Sequence, residues 1–430
     1  MFSLPPEGRS MQSQSRIQTV LVAMLVISQS SFSPLQSVIS TCFQGLPAAI
    51  LSRFVTSNYM RRLLVSVIFA CFSLPLCAAT RVSVAQLMQF LASRQTRKEA
   101  DSDIADQLKS AQLSEELTVQ TLTRIEADYH LGPKTIEQLR ILADSSIFYA
   151  APPDQLSQRN SPDQSLQRQM VEMAIQYVDT ALERLPDFLA TRTTDSFDNV
   201  PRGAKQVRPQ GGLHFLGEFH REIAYRNGQE LNESTSKDGR GTTAPTSASR
   251  GFTTWGEFGP VLKTVLIDSF EGSVSWSRWQ LSETGTQQDA VLRYVVPRSA
   301  SHYLVSFCCY RKSVDDPQEY SFNDRPGYHG ELYLDPETGA IDRITVEADL
   351  TEADPVTVSD IAVQYGRIRI AGKTYICPIR SIAITNVRNL KMEADGIGPE
   401  KHMNETHFLD YHKFESTFRI LNEGNELNKP

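Results

Sequence analysis

Hydrophobic and polar positions along this chain follow two periods, a helical one before Pro186 and a strand-like one after it. Apolar residues spaced three and four apart predict four short helices over 83–145, the first headed by a capping box at Ser83 and the last by Pro133. A longer apolar stripe predicts a fifth helix over 161–185. We interpret 83–145 as a small helical module for packing or for binding a partner, because nothing in it has the pattern of a catalytic site.

After Pro186 apolar and polar residues alternate, and turn signals such as Asn227-Gly228 separate the alternating runs. The predicted strands are Phe188–Thr194, His214–Tyr225, Leu231–Ser234, Val274–Leu281, Ala290–Val296, His302–Cys309, Tyr328–Leu334, Ile341–Ala348, Ile361–Ile370, Thr374–Thr385 and His407–Ile420. Short connections favour antiparallel pairing, and one interruption, Trp255–Asp268, predicts a helix across the sheet. The predicted fold is therefore α+β: a small N-terminal helical module, then over 161–420 a large curved antiparallel sheet, an open half-barrel, with one or two covering helices.

An export signal precedes these elements. In residues 60–79 two arginines precede an apolar region of 14 residues, which is followed by Cys77-Ala78-Ala79. This is the pattern of a cleaved signal peptide. The apolar run is too short to span a bilayer, which takes about 20 residues. We expect Met60 to be the initiator, 1–59 to be a mis-assigned leader, and the protein to be periplasmic or secreted, with no stable transmembrane span after cleavage.

Charge narrows the choice of partners. The chain has 43 basic and 50 acidic residues, of which residues 1–79 hold five and one, so the remainder carries a net charge of −11. An acidic chain without a cluster of lysine and arginine is a poor nucleic-acid binder, because neutralisation of phosphates supplies most of that affinity. We therefore expect no nucleic-acid partner.

Three cysteines remain after cleavage: Cys308, Cys309 and Cys377. Adjacent residues of a strand point to opposite faces, so only one of Cys308 and Cys309 can share a face with Cys377. One disulfide, between Cys377 and either Cys308 or Cys309, is possible in an oxidising compartment. The alternative is that all three are small buried apolar residues.

Catalytic and metal motifs of the common kinds are missing from the sequence, so we assign no catalytic residue and expect no cofactor. One weak metal candidate is His214, Glu218 and His220, whose spacing places all three on one face of a strand. The alternative is a polar stripe facing solvent. A metal-dependent hydrolase would depend on this set.

Four aromatic residues surround the predicted crossing helix and the strand after it: Trp255, Phe258, Trp276 and Trp279. Trp276 and Trp279 differ in parity, so we expect one to face inward and one outward. Inward aromatic rings would line an apolar cleft that accepts lipid or acyl chains. The alternative is that these rings fill the core.

The segments GELYLDPETGAIDRITVEAD (330–349) and DIAVQYGRIRIAGKTYICPIR (360–380) carry a resemblance. Their strand, turn and strand rhythm resembles the LolA/LolB-like superfamily, and more closely uncharacterised secreted proteins of acidobacterial type. The resemblance implies a half-open barrel around an apolar cavity and a role as a lipoprotein carrier or sensor. It transfers no catalytic residue.

These observations support three hypotheses. The first is an exported protein of the cell envelope that binds lipid, a lipoprotein or another apolar ligand. The second is a protein–protein interaction protein with a filled core, which docks a partner through 83–145. The third is the metal-dependent hydrolase, although the sequence favours a protein that is not an enzyme.

Overall fold

The computed structural model describes residues 81–201, 212–231, 260–283, 285, 287–313, 316, 318–394 and 398–414. The leader, 1–59, and the signal peptide, 60–79, lie outside the described residues, so both stay predictions. All described residues belong to one compact unit that begins at residue 79.

Four helices form the start of this unit. They are α1 (Val84–Arg97), α2 (Asp101–Leu108), α3 (Val119–Asp128) and α4 (Pro133–Ser145). Ser83 Oγ accepts the backbone N–H of Gln86, and the Gln86 side chain accepts the backbone N–H of Ser83, which confirms the capping box. Two short strands, β1 (Arg81–Val82) and β2 (Gln112–Leu113), pair in parallel beside the helices. Buried side chains such as Leu91 and Ile125 give the module a core of its own.

Ten strands form the main sheet. They are β3 (Phe188–Asp198), β4 (His214–Arg226), β5 (Gln229–Leu231), β6 (Ser273–Leu281), β7 (Gln288–Val296), β10 (Tyr328–Leu334), β11 (Ile341–Ala348), β12 (Val356–Ile370), β13 (Lys373–Val387) and β14 (Glu400–Lys413). The order is β5-β4-β3-β14-β13-β12-β11-β10-β7-β6, and every neighbouring pair is antiparallel. Because β5 and β6 lie at opposite edges, the sheet is open. The predicted α+β fold is confirmed.

A separate hairpin is inserted between β7 and β10. It consists of β8 (Val305–Tyr310) and β9 (Tyr320–Asp324), and the sequence pattern did not predict β9. The short helix α7 (Leu390–Ala394) connects β13 to β14. Among the described residues, no helix combines the length and the apolar character that crossing a bilayer requires.

One face of the sheet is covered by α5 (Gln164–Arg184) and α6 (Pro260–Glu271), which confirms the predicted covering helices. Met170 and Val178 of α5 and Leu266 of α6 pack in one buried cluster with side chains of β7, β10, β11 and β12. Complete burial of an aliphatic side chain contributes roughly 1.5–3 kcal/mol, so this cluster is the main apolar contribution to stability.

The helical module packs on another part of the sheet, where apolar and charged contacts combine. Ile141 and Ile147 of the module meet Phe197, Ile382 and Met403 in a buried cluster. Next to this cluster the sheet and the module are joined by buried ion pairs, and the arginine of one of them, Arg343, also lines the cavity described below.

Candidate functional site

The predicted aromatic cleft is only partly within the described residues. Trp255 and Phe258 lie outside them. In β6 the register against β7 shifts between Trp276 and Arg278, so an extra residue, Ser277, reverses the direction of the side chains that follow. Trp276 and Trp279 therefore lie on the same face, with ring centroids 4.7 Å apart at 64°. The prediction that the two tryptophans face opposite sides of the sheet is wrong, because side chains alternate strictly only where the strand pairing has no bulge.

These two tryptophans belong mainly to the core. Trp279 is 3% exposed, its indole N–H donates to the carbonyl of Asn160 at 2.9 Å, and the Arg159 guanidinium lies 4.2 Å from its ring centroid. Trp276 is half-buried and lines a groove of about 450 Å³ between β6 and α5, beside Val171. The rings extend the packed core and leave a narrow groove at its edge.

The weak metal candidate is divided between two faces of β4. In the pairing of β4 with β3, Leu216 has no partner, which is a one-residue bulge. Such a bulge inverts the side-chain direction beyond it. His214 therefore points away from the face that carries Glu218 and His220, and the prediction of a shared face is wrong.

Glu218 and His220 remain together on the surface, with Oε1 and Nε2 2.8 Å apart. His220 Nδ1 also lies 3.0 Å from the Thr193 hydroxyl. In the part of the chain that the structure describes, no group of three or more His, Cys, Asp or Glu side chains is arranged to hold a metal ion. The candidate set thus lacks a third ligand.

The cysteine prediction is not decided. Cys377 carries a free thiol in this structure and is buried beside Phe188 and Phe408, where burial raises the pKa of the thiol to about 12. The side chains of Cys308 and Cys309 lie outside the described residues. A disulfide with either of them stays a prediction.

A different site opens where two neighbouring strands part. β11 and β12 are paired from Glu347↔Asp360 to Arg343↔Gln364, and their pairing ends there. β12 continues to Ile370 with β13 as its partner, after a bulge that follows Gln364. A cavity of about 1230 Å³ lies in this opening, bounded by the C-terminal half of α5 and the adjoining ends of β6, β7 and β10.

The β10–β11 turn closes one side of the cavity against α5. Asp335 heads the turn, accepting the backbone N–H of Glu337 at 2.8 Å and the hydroxyl of Thr338 at 2.8 Å. Gly339 has φ +72°, and a Cβ there would lie 2.6 Å from the backbone carbonyl carbon of Met173 in α5. Glycine is required here because the turn lies directly on the helix.

Four carboxyl groups line the side formed by β6, β7, β10 and β11, which we call the acidic wall: Glu283, Asp289, Asp335 and Asp342. Asp289 is the most distinctive of them. It is 4% exposed, and its Oδ1 has no hydrogen-bond partner. An unpaired buried polar atom costs roughly 1–3 kcal/mol, so the burial of Oδ1 lowers the stability of the folded protein.

Electrostatics set Asp289 and Asp342 apart from ordinary carboxyls. Burial first, and then the neighbouring carboxyls of Asp342, Glu283 and Asp335, raise the pKa of Asp289 to about 8, although Arg343 opposes the rise. Burial likewise raises the pKa of Asp342 to about 6. A carboxyl with a pKa near 8 holds a proton at neutral pH, and it can release that proton when a positive charge binds beside it.

Arg343 lines the same cavity but is already paired with Glu116 of the helical module. Its Nη1 lies 2.5 Å from Oε1 of Glu116 and its Nη2 3.2 Å from Oε2. Burial alone would lower the pKa of Arg343, but Glu116 and Tyr333 hold it well above the usual range. The positive charge of this arginine is therefore engaged by the module, and Asp289 remains unpaired.

Three cations also line the cavity, and we call them the basic wall: Arg184 at the end of α5, Arg367 of β12 and Lys373 of β13. All three are exposed, so the cavity meets solvent along this wall. None of them forms a salt bridge within the described residues. Four tyrosines line the cavity as well: Tyr177, Tyr333, Tyr365 and Tyr375.

Sequence reasoning missed this site because its residues carry no local motif. Asp289 stands at the start of a strand directly after a polar turn, where an acidic residue is ordinarily solvated. Asp335 and Asp342 lie in or beside a turn that the sequence does predict, and the turn explains only Asp335. The site exists because β11 and β12 separate, and no spacing of residues in the sequence predicts that separation.

Comparison of the chain with protein-family models, with curated proteins and with solved structures found no match.

Proposed function

We propose that this protein is an exported ligand-binding protein, and that the cavity between the parted strands binds a ligand through a protonated amine. The unpartnered, buried Oδ1 of Asp289 in a cavity of about 1230 Å³ carries this proposal. Buried charges are normally paired, and an ammonium group donates up to three hydrogen bonds. An amine would therefore pair Asp289 and be drawn by the rest of the acidic wall.

The apolar ligand predicted from the sequence has weaker support. Trp279 is buried in the core, and the groove at Trp276 has about 450 Å³ against about 1230 Å³ for the cavity. The large cavity is lined by seven ionisable side chains of the two walls as well as Arg343. An acyl chain would leave Asp289 and the three cations of the basic wall without polar partners. Polar ligands with a positive charge fit this lining better.

The test uses 1,4-diaminobutane as the probe, added to the full-length mature protein at pH 7.5 and low salt. We expect a saturable rise in the melting temperature, because a ligand that binds only the folded state stabilises it. Asp289→Asn should abolish the rise. Asp195→Asn is the matched control, since Asp195 also has an unpartnered Oδ1 and a raised pKa but does not line the cavity.

The proposal also requires the binding to release a proton. Below pH 8 the Asp289 carboxyl must ionise before it pairs with the amine, so the affinity should rise by up to about tenfold per pH unit between pH 6 and 8. A diamine response that is absent from the wild type, or equal in the wild type and Asp289→Asn, would overturn the proposal.

A further inference from the structure

The two walls of the cavity carry opposite charges and come from different elements. The acidic wall comes from β6, β7, β10 and β11, and the basic wall comes from α5, β12 and β13. The charge of Arg367 does reach across, because it lowers the pKa of Asp342 against the larger effect of burial. The cavity therefore contains groups of both signs, and a ligand with one charge would pair with only one of the two walls.

An edge of strand β12 also borders the cavity. Beyond Gln364 the side of β12 that faced β11 has no partner strand among the described residues, while its other side stays paired with β13. Tyr365, Gly366 and Arg367 of this segment line the cavity. Backbone N–H and C=O groups on an unpaired edge are the template for adding a further strand.

We propose that the occupant is a short peptide with free ends, lying extended along this edge of β12, with its amino terminus at the acidic wall and its carboxyl terminus at the basic wall. This inference rests on the proposed function, whose amine it identifies as a peptide amino terminus. Arginine is suited to the carboxylate end, because its guanidinium can form two parallel hydrogen bonds with a carboxylate.

The cavity suits such a ligand in size and lining. Its volume of about 1230 Å³ exceeds the range of roughly 300–1,000 Å³ usual for drug-sized molecules. Tyr177 and Tyr375 supply flat apolar surface beside the edge, and Gln280 and Thr374 supply further polar groups. The main chain of an extended peptide and its side chains would each meet a suitable partner.

The experiment measures binding of alanine peptides of three to six residues by calorimetry, each length with free ends and with an amidated carboxyl terminus. We expect the free peptide of the best length to bind about tenfold more tightly than its amide, the size of one charge-assisted contact. Arg367→Gln/Lys373→Gln should remove this gain. Arg369→Gln is the matched control, being an exposed cation of the same strand outside the cavity lining.

A second comparison tests the strand edge. Peptides of the best length with N-methylated central residues cannot donate main-chain hydrogen bonds, so we expect them to bind about tenfold more weakly. If free and amidated peptides bind equally at every length, or if no peptide binds at millimolar concentration, the inference fails. A response to 1,4-diaminobutane that depends on Asp289 would still support the proposed function, so the two failures are distinguishable.

Discussion

Two of the regions that hold buried charges can be compared: the interface between the helical module and the sheet, and the acidic wall of the cavity. At the interface Arg380 donates to Asp144 of the module and to Glu405 of the sheet, and Arg343 is bound by Glu116. At the acidic wall Asp289 is as deeply buried as Asp144, Glu116 and Arg343, yet its Oδ1 has no partner. The two regions share residue types and burial and differ in pairing.

The difference separates charges that assemble the protein from charges that remain available to a ligand. Burial alone would lower the pKa of Arg380, but Asp144 and Glu405 raise it above its usual range, as expected for a cation held by partners. Burial also raises the pKa of Asp144, to about 7, but Arg380 is hydrogen-bonded to it and opposes the rise. Asp289 has no hydrogen-bonded cation among the described residues, and burial raises its pKa with only the charge of Arg343 opposing the rise. A binding site that retains such a group accepts a loss of stability in the unliganded state.

The largest change in stability is expected at the interface between the helical module and the sheet. Arg343→Met should lower the free energy of unfolding by about 3–5 kcal/mol, because it leaves Glu116 buried without its partner. Urea denaturation at pH 7 measures the loss. Adding Glu116→Gln to this variant should recover part of the stability, and equal stabilities for the single and double variants would show that the pair does not couple the two regions.

At the acidic wall we expect a substitution to stabilise the protein instead of destabilising it. Asp289→Asn should raise the free energy of unfolding at pH 8 by about 2–4 kcal/mol, because the folded pKa of about 8 lies far above the unfolded value of about 3.9. The folded state keeps a proton that the unfolded state loses above pH 4, so wild-type stability falls between pH 4 and 8. The advantage of the variant should thus be near zero at pH 4 and greatest at pH 8.

Urea titrations at pH 4, 6 and 8 measure this advantage as a difference between the variant and the wild type. The groups that face Asp289 are Asp342, Arg343, Glu283 and Asp335, and all four are present in both proteins. A pH-independent difference would show that Asp289 is solvated and belongs with ordinary surface carboxyls.

The smallest effect tests the link between the two regions. Gln120 of α3 donates to the carbonyl of Ser282 at 2.6 Å and to that of Glu283 at 2.9 Å, so the module holds the β6–β7 turn that borders the cavity. Gln120→Ala should lower stability by about 1 kcal/mol, the net value of a typical hydrogen bond. We also expect it to weaken the response to 1,4-diaminobutane, and an unchanged response would make the module a purely structural neighbour.

The elements were largely predictable because hydrophobic periodicity is a local signal. Tyr328–Leu334 and Ile341–Ala348 were predicted with the bounds that the structure has. Side-chain direction was less predictable, because one extra residue at Leu216 and another at Ser277 reverse the parity on which the metal and tryptophan predictions depended. Ion pairing could not be predicted from the sequence. Asp289 and Asp144 both stand among polar residues in the sequence, and only the tertiary structure gives Asp144 a hydrogen-bonded cation.

The position of β14 has a consequence for the order in which the chain folds. β14 lies between β3 and β13, and Lys401 contacts Asn199 across 202 positions of sequence. Such non-local pairing slows folding, because a long loop must close before its contacts form. Among the described strands β14 alone joins β3–β5 to the rest of the sheet, so nascent chains that stop short of residue 400 would hold two unjoined sheets. The ten-stranded sheet can therefore form only after this strand has been synthesised.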